Sequence, residues 1–118
     1  MSQTLYSIPA GSYNSLSIPS TAVPDGFTSL LLQLECSEWT DTAAVANISF
    51  QISVDGGSAW GPLLSFVVRG GTKDRSGNVL MQASGIVGLP AVSNRQVKMT
   101  GLVSSSALVT SGIILVAD

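Results

Sequence analysis

The chain contains no histidine, which removes the commonest metal ligand, the commonest general base and every Ser-His or Cys-His dyad. The usual hydrolase chemistries go with it. Cys36 is the sole cysteine, so no intrachain disulfide can form, an oxidising compartment is not required, and a buried thiol is expected there. Charge is scarce as well. Charged residues make up 10% of the 118 positions, against about 25% in ordinary soluble domains. Five Lys and Arg against seven Asp and Glu give a net charge of −2 and a pI of about 4.7, with no clustered basic face of the kind nucleic acid requires. No apolar run reaches the roughly 18 residues of a membrane span, and the N-terminus has neither a basic n-region nor an apolar h-region. The chain is therefore expected to be soluble, made in the cytoplasm, and without membrane or nucleic-acid partners.

What is present is 45% hydrophobic residue with a polar complement of Ser, Thr, Gly, Asn and Gln. The length suits one domain, residues 1–118, able to bury a core without metal or disulfide support. A mean hydropathy of +0.43 on so uncharged a chain implies that part of its surface is covered by other protein. An assembly subunit is the expectation.

The chain is organised around residues 47–68. Ile48, Phe50, Ile52 and Val54 alternate with Ser49, Gln51 and Ser53, the period of a half-buried strand. Asp55-Gly56-Gly57 then offers the positive φ angles of a tight hairpin, and the apolar run 60–68 supplies the returning strand. Before it, residues 3–8 and 12–18 read as two short strands, with Tyr13 opposite in phase to Leu16 and Ile18. Residues 19–26 read as a connector ending in the turn Pro24-Asp25-Gly26. A helix competes for residues 30–36, but the flanking Thr and Ser and the missing 3.6 period favour a strand over 27–36, with Leu30, Leu32, Leu34 and Cys36 on one face. Residues 37–47 read as a crossing loop with Trp39 plugging one end of the core. Residues 69–78 form a polar, glycine-rich loop, 79–83 a short strand and 84–94 an irregular apolar loop. In 95–102, Arg95, Val97 and Met99 share one side. The closing strand 107–116 is apolar on both faces, which suits a central position or a face covered by a partner. About eight strands without a convincing helix predict an antiparallel β-sandwich or jelly roll, with Leu32, Leu34, Phe50, Ile52, Val54, Phe66 and Val97 in the core.

Three features could carry chemistry. The segment Ser53-Val54-Asp55-Gly56-Gly57-Ser58-Ala59-Trp60 resembles the Asp-box pattern Ser-x-Asp-x-Gly-x-Thr-Trp, with Ala59 where Thr is usual. In families that carry it, the box is a structural hairpin remote from any active site. The resemblance therefore makes Asp55, Gly56, Gly57 and Trp60 a structural turn in which Asp55 accepts turn amides and Trp60 packs across the hairpin. The acidic residues Glu35, Glu38, Asp41 and Asp55 have neither the dense spacing of a calcium loop nor that of a glycosidase pair. No metal or cofactor is expected. Arg69, Lys73 and Arg75 form the one charged loop, a candidate contact for an acidic protein surface, since nucleic acid would want more charge and an aromatic platform.

The segments Ile-Pro-x-Gly, Pro-Asp-Gly-Phe-Thr-Ser-Leu, Glu-x-x-Glu-Trp-Thr-Asp, Ser-x-Asp-Gly-Gly-x-x-Trp and Val-Thr-Ser-Gly together resemble small β-sandwich virion proteins of tailed bacteriophages, mostly capsid decoration (cement) or tail-associated proteins. That resemblance covers most of the chain and transfers no functional residue. It implies a non-enzymatic subunit located in the virion, a homotrimer or homodimer that binds the major capsid protein or another virion protein and bridges capsomers. Sugar binding is the alternative, as a carbohydrate-binding module or a tail-fibre-type adhesion subunit, with Trp39, Trp60, Tyr6 and Tyr13 as candidates for stacking.

Overall fold

The computed structural model describes residues 2–36, 43–70, 81–104 and 107–118, the side chains of 35, 36, 81–86 and 111 excepted. Among them are nine strands: β1 Gln3–Ile8, β2 Gly11–Tyr13, β3 Ser15–Ala22, β4 Ser29–Cys36, β5 Val45–Ser53, β6 Gly61–Arg69, β7 Met81–Gly88, β8 Gln96–Ser104 and β9 Leu108–Ala117. No helix occurs among the described residues. One sheet has the order β1-β9-β4-β7, with β2 also paired to β9, and the other has the order β3-β8-β5-β6. Every pairing is antiparallel. The fold is the all-β sandwich that the alternation predicts.

Period-2 patterning puts the core between the sheets. Leu30, Leu32 and Leu34 of β4 and Ile113 and Leu115 of β9 meet Leu16, Ile18, Ala46, Ile48, Phe50, Val97 and Met99 of the facing sheet, all buried in one cluster. Each large aliphatic side chain removed from water there contributes roughly 1.5–3 kcal/mol before the cost of ordering it. Gly101 is what this packing leaves room for, since a Cβ at that position would lie 3.1 Å from Cβ of Leu16. The central hairpin β5–β6 forms as predicted, and β9 takes the central position its two-sided apolar pattern suits. Its Ile113 and Leu115 point inward, while Ile114 is 39% exposed on the outer side.

Several details depart from the sequence reading. Of the expected core, Leu32, Leu34, Phe50 and Val97 are buried, whereas Ile52 and Phe66 are half-buried and Val54 is 51% exposed. β5 ends at Ser53, so Val54 lies beyond the strand and the alternation no longer governs it. The turn is a seven-residue loop, 54–60, in place of a tight one at Asp55-Gly56-Gly57, and the returning strand starts at Gly61. Residues 12–18 are not one strand. The chain breaks at Asn14 and passes from β2 in one sheet to β3 in the other, which is why Tyr13 and Leu16 are out of phase. The connector read at Pro19 is strand: β3 runs on to Ala22, and a register shift between Ile18 and Thr21 accommodates the proline. As an edge strand, β3 has a side that needs no donor. Residues 84–88, read as loop, belong to β7, whose eight-residue ladder with β4 runs from Cys36–Met81 to Ser29–Gly88. Pairing along the leucine-rich β4 overrides the weak strand preference of Gly85 and Gly88.

Candidate functional site

At one end of the four-stranded sheet, loop 54–60 folds back over the outer side. Ser53, in register with Gln96, is 1% exposed beneath it. The Ser53 hydroxyl donates to Asp55 Oδ1 at 2.7 Å and accepts from the Gly57 amide at 2.9 Å. The same Oδ1 accepts the amides of Ser58 and Ala59 at 3.1 and 3.0 Å. These bonds favour the charged carboxylate, with the Ser53 hydroxyl the largest cause, and hold Asp55 below the ordinary carboxylate range. Gly56 and Gly57 have φ of 76° and 100°, the region in which glycine has no steric penalty. Trp60 donates its indole N–H to the Gly57 carbonyl at 3.2 Å, and the Lys98 ammonium sits 4.2 Å from its ring centroid.

Arg95 lies beside this loop and carries the contacts that sequence reasoning missed. It is 2% exposed. Its Nη1 donates to the carbonyls of Phe27 and Pro90 at 2.6 and 3.0 Å, and its Nη2 to that of Pro24 at 2.8 Å. The planar fork thus clamps loops 23–28 and 89–94 together, while Nε is buried without a partner. Loop 54–60 joins the same end of the sandwich: the Gly56 amide donates to the Asn94 carbonyl at 3.1 Å, and the Gln96 side-chain Nε2 donates to the Gly56 carbonyl at 3.2 Å.

Arg69 ends β6 opposite Val45, at the far end of the β5–β6 hairpin from Asp55, and is exposed. Lys73, Arg75, Trp39, Glu38 and Asp41 lie outside the described residues, as do the side chains of Glu35, Cys36 and Ile86. Near Arg69 the outer face of the four-stranded sheet is open. Register places Ser15, Leu102, Asn47 and Val67 in one row across it, and Ser17, Thr100, Ser49 and Ser65 in the next. Leu102 is 71% and Val67 51% exposed. On the opposite flank of the sandwich, Tyr6 and Tyr13 come together in one cleft. Among the described residues no group of three or more His, Cys, Asp or Glu is placed to hold a metal ion.

No protein-family model and no curated protein matches the chain. Among solved structures it is similar to the K1 cleaved adhesin domain of Lys-gingipain from Porphyromonas gingivalis W83, with a TM-score of 0.52 and 20% identity over 87% of this chain and 60% of that one. The chain thus spans about 60% of that domain's length. It is also similar to a protein of infectious bursal disease virus Gt strain, with a TM-score of 0.44 and 14% identity over 99% of this chain and 31% of that one. A third likeness is to a carbohydrate-binding module of Cellvibrio mixtus lichenase 5A, with a TM-score of 0.45 and 10% identity over 98% and 84%. The first of these shows the shared sandwich fold alone, and the other two carry no argument about this chain.

Proposed function

We propose that the chain is a non-enzymatic virion subunit, a capsid decoration (cement) protein that acts as a homotrimer or homodimer and docks on an assembled protein shell. The observation that carries this reading is the open outer face of the four-stranded sheet. Leu102 and Val67 stand 71% and 51% exposed, flanking Asn47 in a row backed by a row of hydroxyls from Ser17, Thr100, Ser49 and Ser65. Exposed large apolar side chains on a sheet face with little charge are what a protein contact hides. The 10% charge fraction and absence of histidine, and the likeness of several segments to phage virion proteins, support the same reading. Arg69, at the rim of this face, would make a peripheral contact that salt weakens. Bound only to the assembled state, such a subunit stabilises it by mass action.

Co-sedimentation with shells assembled from the major capsid protein encoded beside its gene tests this. The native chain is expected to pellet with the shells, and a Leu102→Asp, Val67→Asp double variant to remain in the supernatant while retaining its circular dichroism. A native chain that stays soluble and monomeric beside intact shells overturns the reading.

A further inference from the structure

We propose that the cleft on the flank of the sandwich, where β1 and β2 of one sheet diverge from β3 of the other, binds a neutral sugar ring. Tyr6 pairs with Leu115 and Tyr13 with Leu108, and both leucines are fully buried. Directly opposed residues share a face, so both tyrosines belong to the inner side of their sheet. Tyr6 is nevertheless 36% exposed and Tyr13 half-buried, because the sandwich is open along this edge. The result is a cavity of about 230 Å³ lined by both tyrosines, Ile8 and Leu16, with β3 at Ser15 and Ser17 as its other side.

Three properties select the ligand class. First, no Asp, Glu, Lys or Arg lines the cavity, so nothing there favours an ion over a neutral molecule. Second, tyrosine side chains beside the uncharged edge strand β3 match a pyranose, which presents apolar C–H faces and a rim of hydroxyl groups that both donate and accept. Third, the volume is below the roughly 300–1,000 Å³ of sites that enclose drug-sized ligands, which fits one ring at a chain end or branch. The wall is also held in advance of binding. The Tyr13 hydroxyl donates to the Pro9 carbonyl at 2.7 Å, and its ring lies against Gly11, where a Cβ would sit 3.4 Å from Cε2 of the ring. An aromatic side chain already fixed by its own fold loses little freedom when a ligand stacks on it.

The site goes beyond the shell-docking reading and is separable from it, because Tyr6 lies in the other sheet from Leu102 and Val67. Amide chemical-shift titration of the full chain with glucose, galactose, mannose and N-acetylglucosamine, with sialic acid as the charged control, tests the inference. At least one neutral sugar is expected to shift the amides around Tyr6, Tyr13 and Ser17, and sialic acid to bind more weakly. Tyr6→Ala should weaken that sugar about tenfold, the loss of one stacked ring, while co-sedimentation with shells is unchanged. Tyr13→Phe, which keeps the ring and releases Pro9, should weaken it less. Absence of shifts with all four neutral sugars, shifts that map elsewhere, or undiminished binding by Tyr6→Ala overturns the proposal without touching the shell assay.

Discussion

Two loops meet at one end of the sandwich and are held by opposite means. Loop 54–60 is tied from within: Asp55 and Ser53 bond amides and each other across separations of two to four residues. The loops around Arg95 are tied from a distance, because its guanidinium reaches carbonyls 68 and 71 positions away at Phe27 and Pro24. A locally satisfied turn can form as soon as its strands approach. Apart from the local Pro90 carbonyl, the Arg95 clamp gains its partners only when the segment between β3 and β4 docks, so its loss is felt by the whole fold and the loss of an Asp55 contact mainly by one hairpin.

Replacing Arg95 should therefore cost most. Arg95→Met keeps the aliphatic stem and strands three carbonyl acceptors, each worth roughly 1–3 kcal/mol when left unsatisfied. Relief of the buried charge and of the orphaned Nε offsets part of this, leaving an expected loss of about 3 kcal/mol. A urea midpoint that falls at unchanged m-value would report it. Arg95→Lys should recover little, since an ammonium lacks the planar fork that spans two loops. If Arg95→Met unfolds within about 0.5 kcal/mol of the native chain, as a neutral surface change would, water is replacing the guanidinium and the contrast between the loops fails.

Gly57 tests the local loop at its most sensitive point and should cost less. Gly57→Val places a β-branched residue at φ 100°, a backbone strain of about 1–3 kcal/mol. Its Cβ would also stand 3.1 Å from Gln96 Oε1, loosening the bond that Gln96 makes to the Gly56 carbonyl. The expected result is a melting temperature lower by about 4 °C or more for each kcal/mol, with the sandwich retained. An unchanged melting temperature would show that the loop adapts and that its left-handed geometry is not required.

The same contrast explains what could be read from the residues in order. Strands β4 and β5 and the hairpin are legible because alternation and turn chemistry act over a few neighbours. The Asp55 contacts are legible for the same reason. Val54 departs from the alternation because β5 ends at Ser53, where the Ser53–Asp55 bond takes over. The role of Arg95 was not legible, since nothing in the spacing of Pro24, Phe27, Pro90 and Arg95 says that three carbonyls converge. The tyrosine cleft was half legible: the phase slip between Tyr13 and Leu16 marks the place where the chain changes sheets, but the shared pairing of β1 and β2 with β9, which puts Tyr6 and Tyr13 on one face, is not written in their spacing.

The smallest expected effect is electrostatic and belongs to the local loop. Asp55 is held below the ordinary carboxylate range by the Ser53 hydroxyl first and then by the Ala59 and Ser58 amides. A carboxylate whose folded value is depressed contributes stability that is fully present above its unfolded value, about 3.9, and is lost as pH falls through the lower folded value. Asp55→Asn keeps an acceptor for the amides but cannot titrate. The difference in unfolding free energy between the native chain and this variant should hence be constant near neutral pH and shrink below about pH 4, whatever the remaining acids do to both. Because Asp55 is exposed, added salt should flatten the curve. Removing the hydroxyl with Ser53→Ala in both backgrounds should reduce the pH-dependent part of the difference, since that group is the largest cause of the shift. A difference that stays constant from about pH 6 to pH 2 would mean that Asp55 titrates alike in the folded and unfolded chain, and that the loop is held by its backbone geometry and not by its charge.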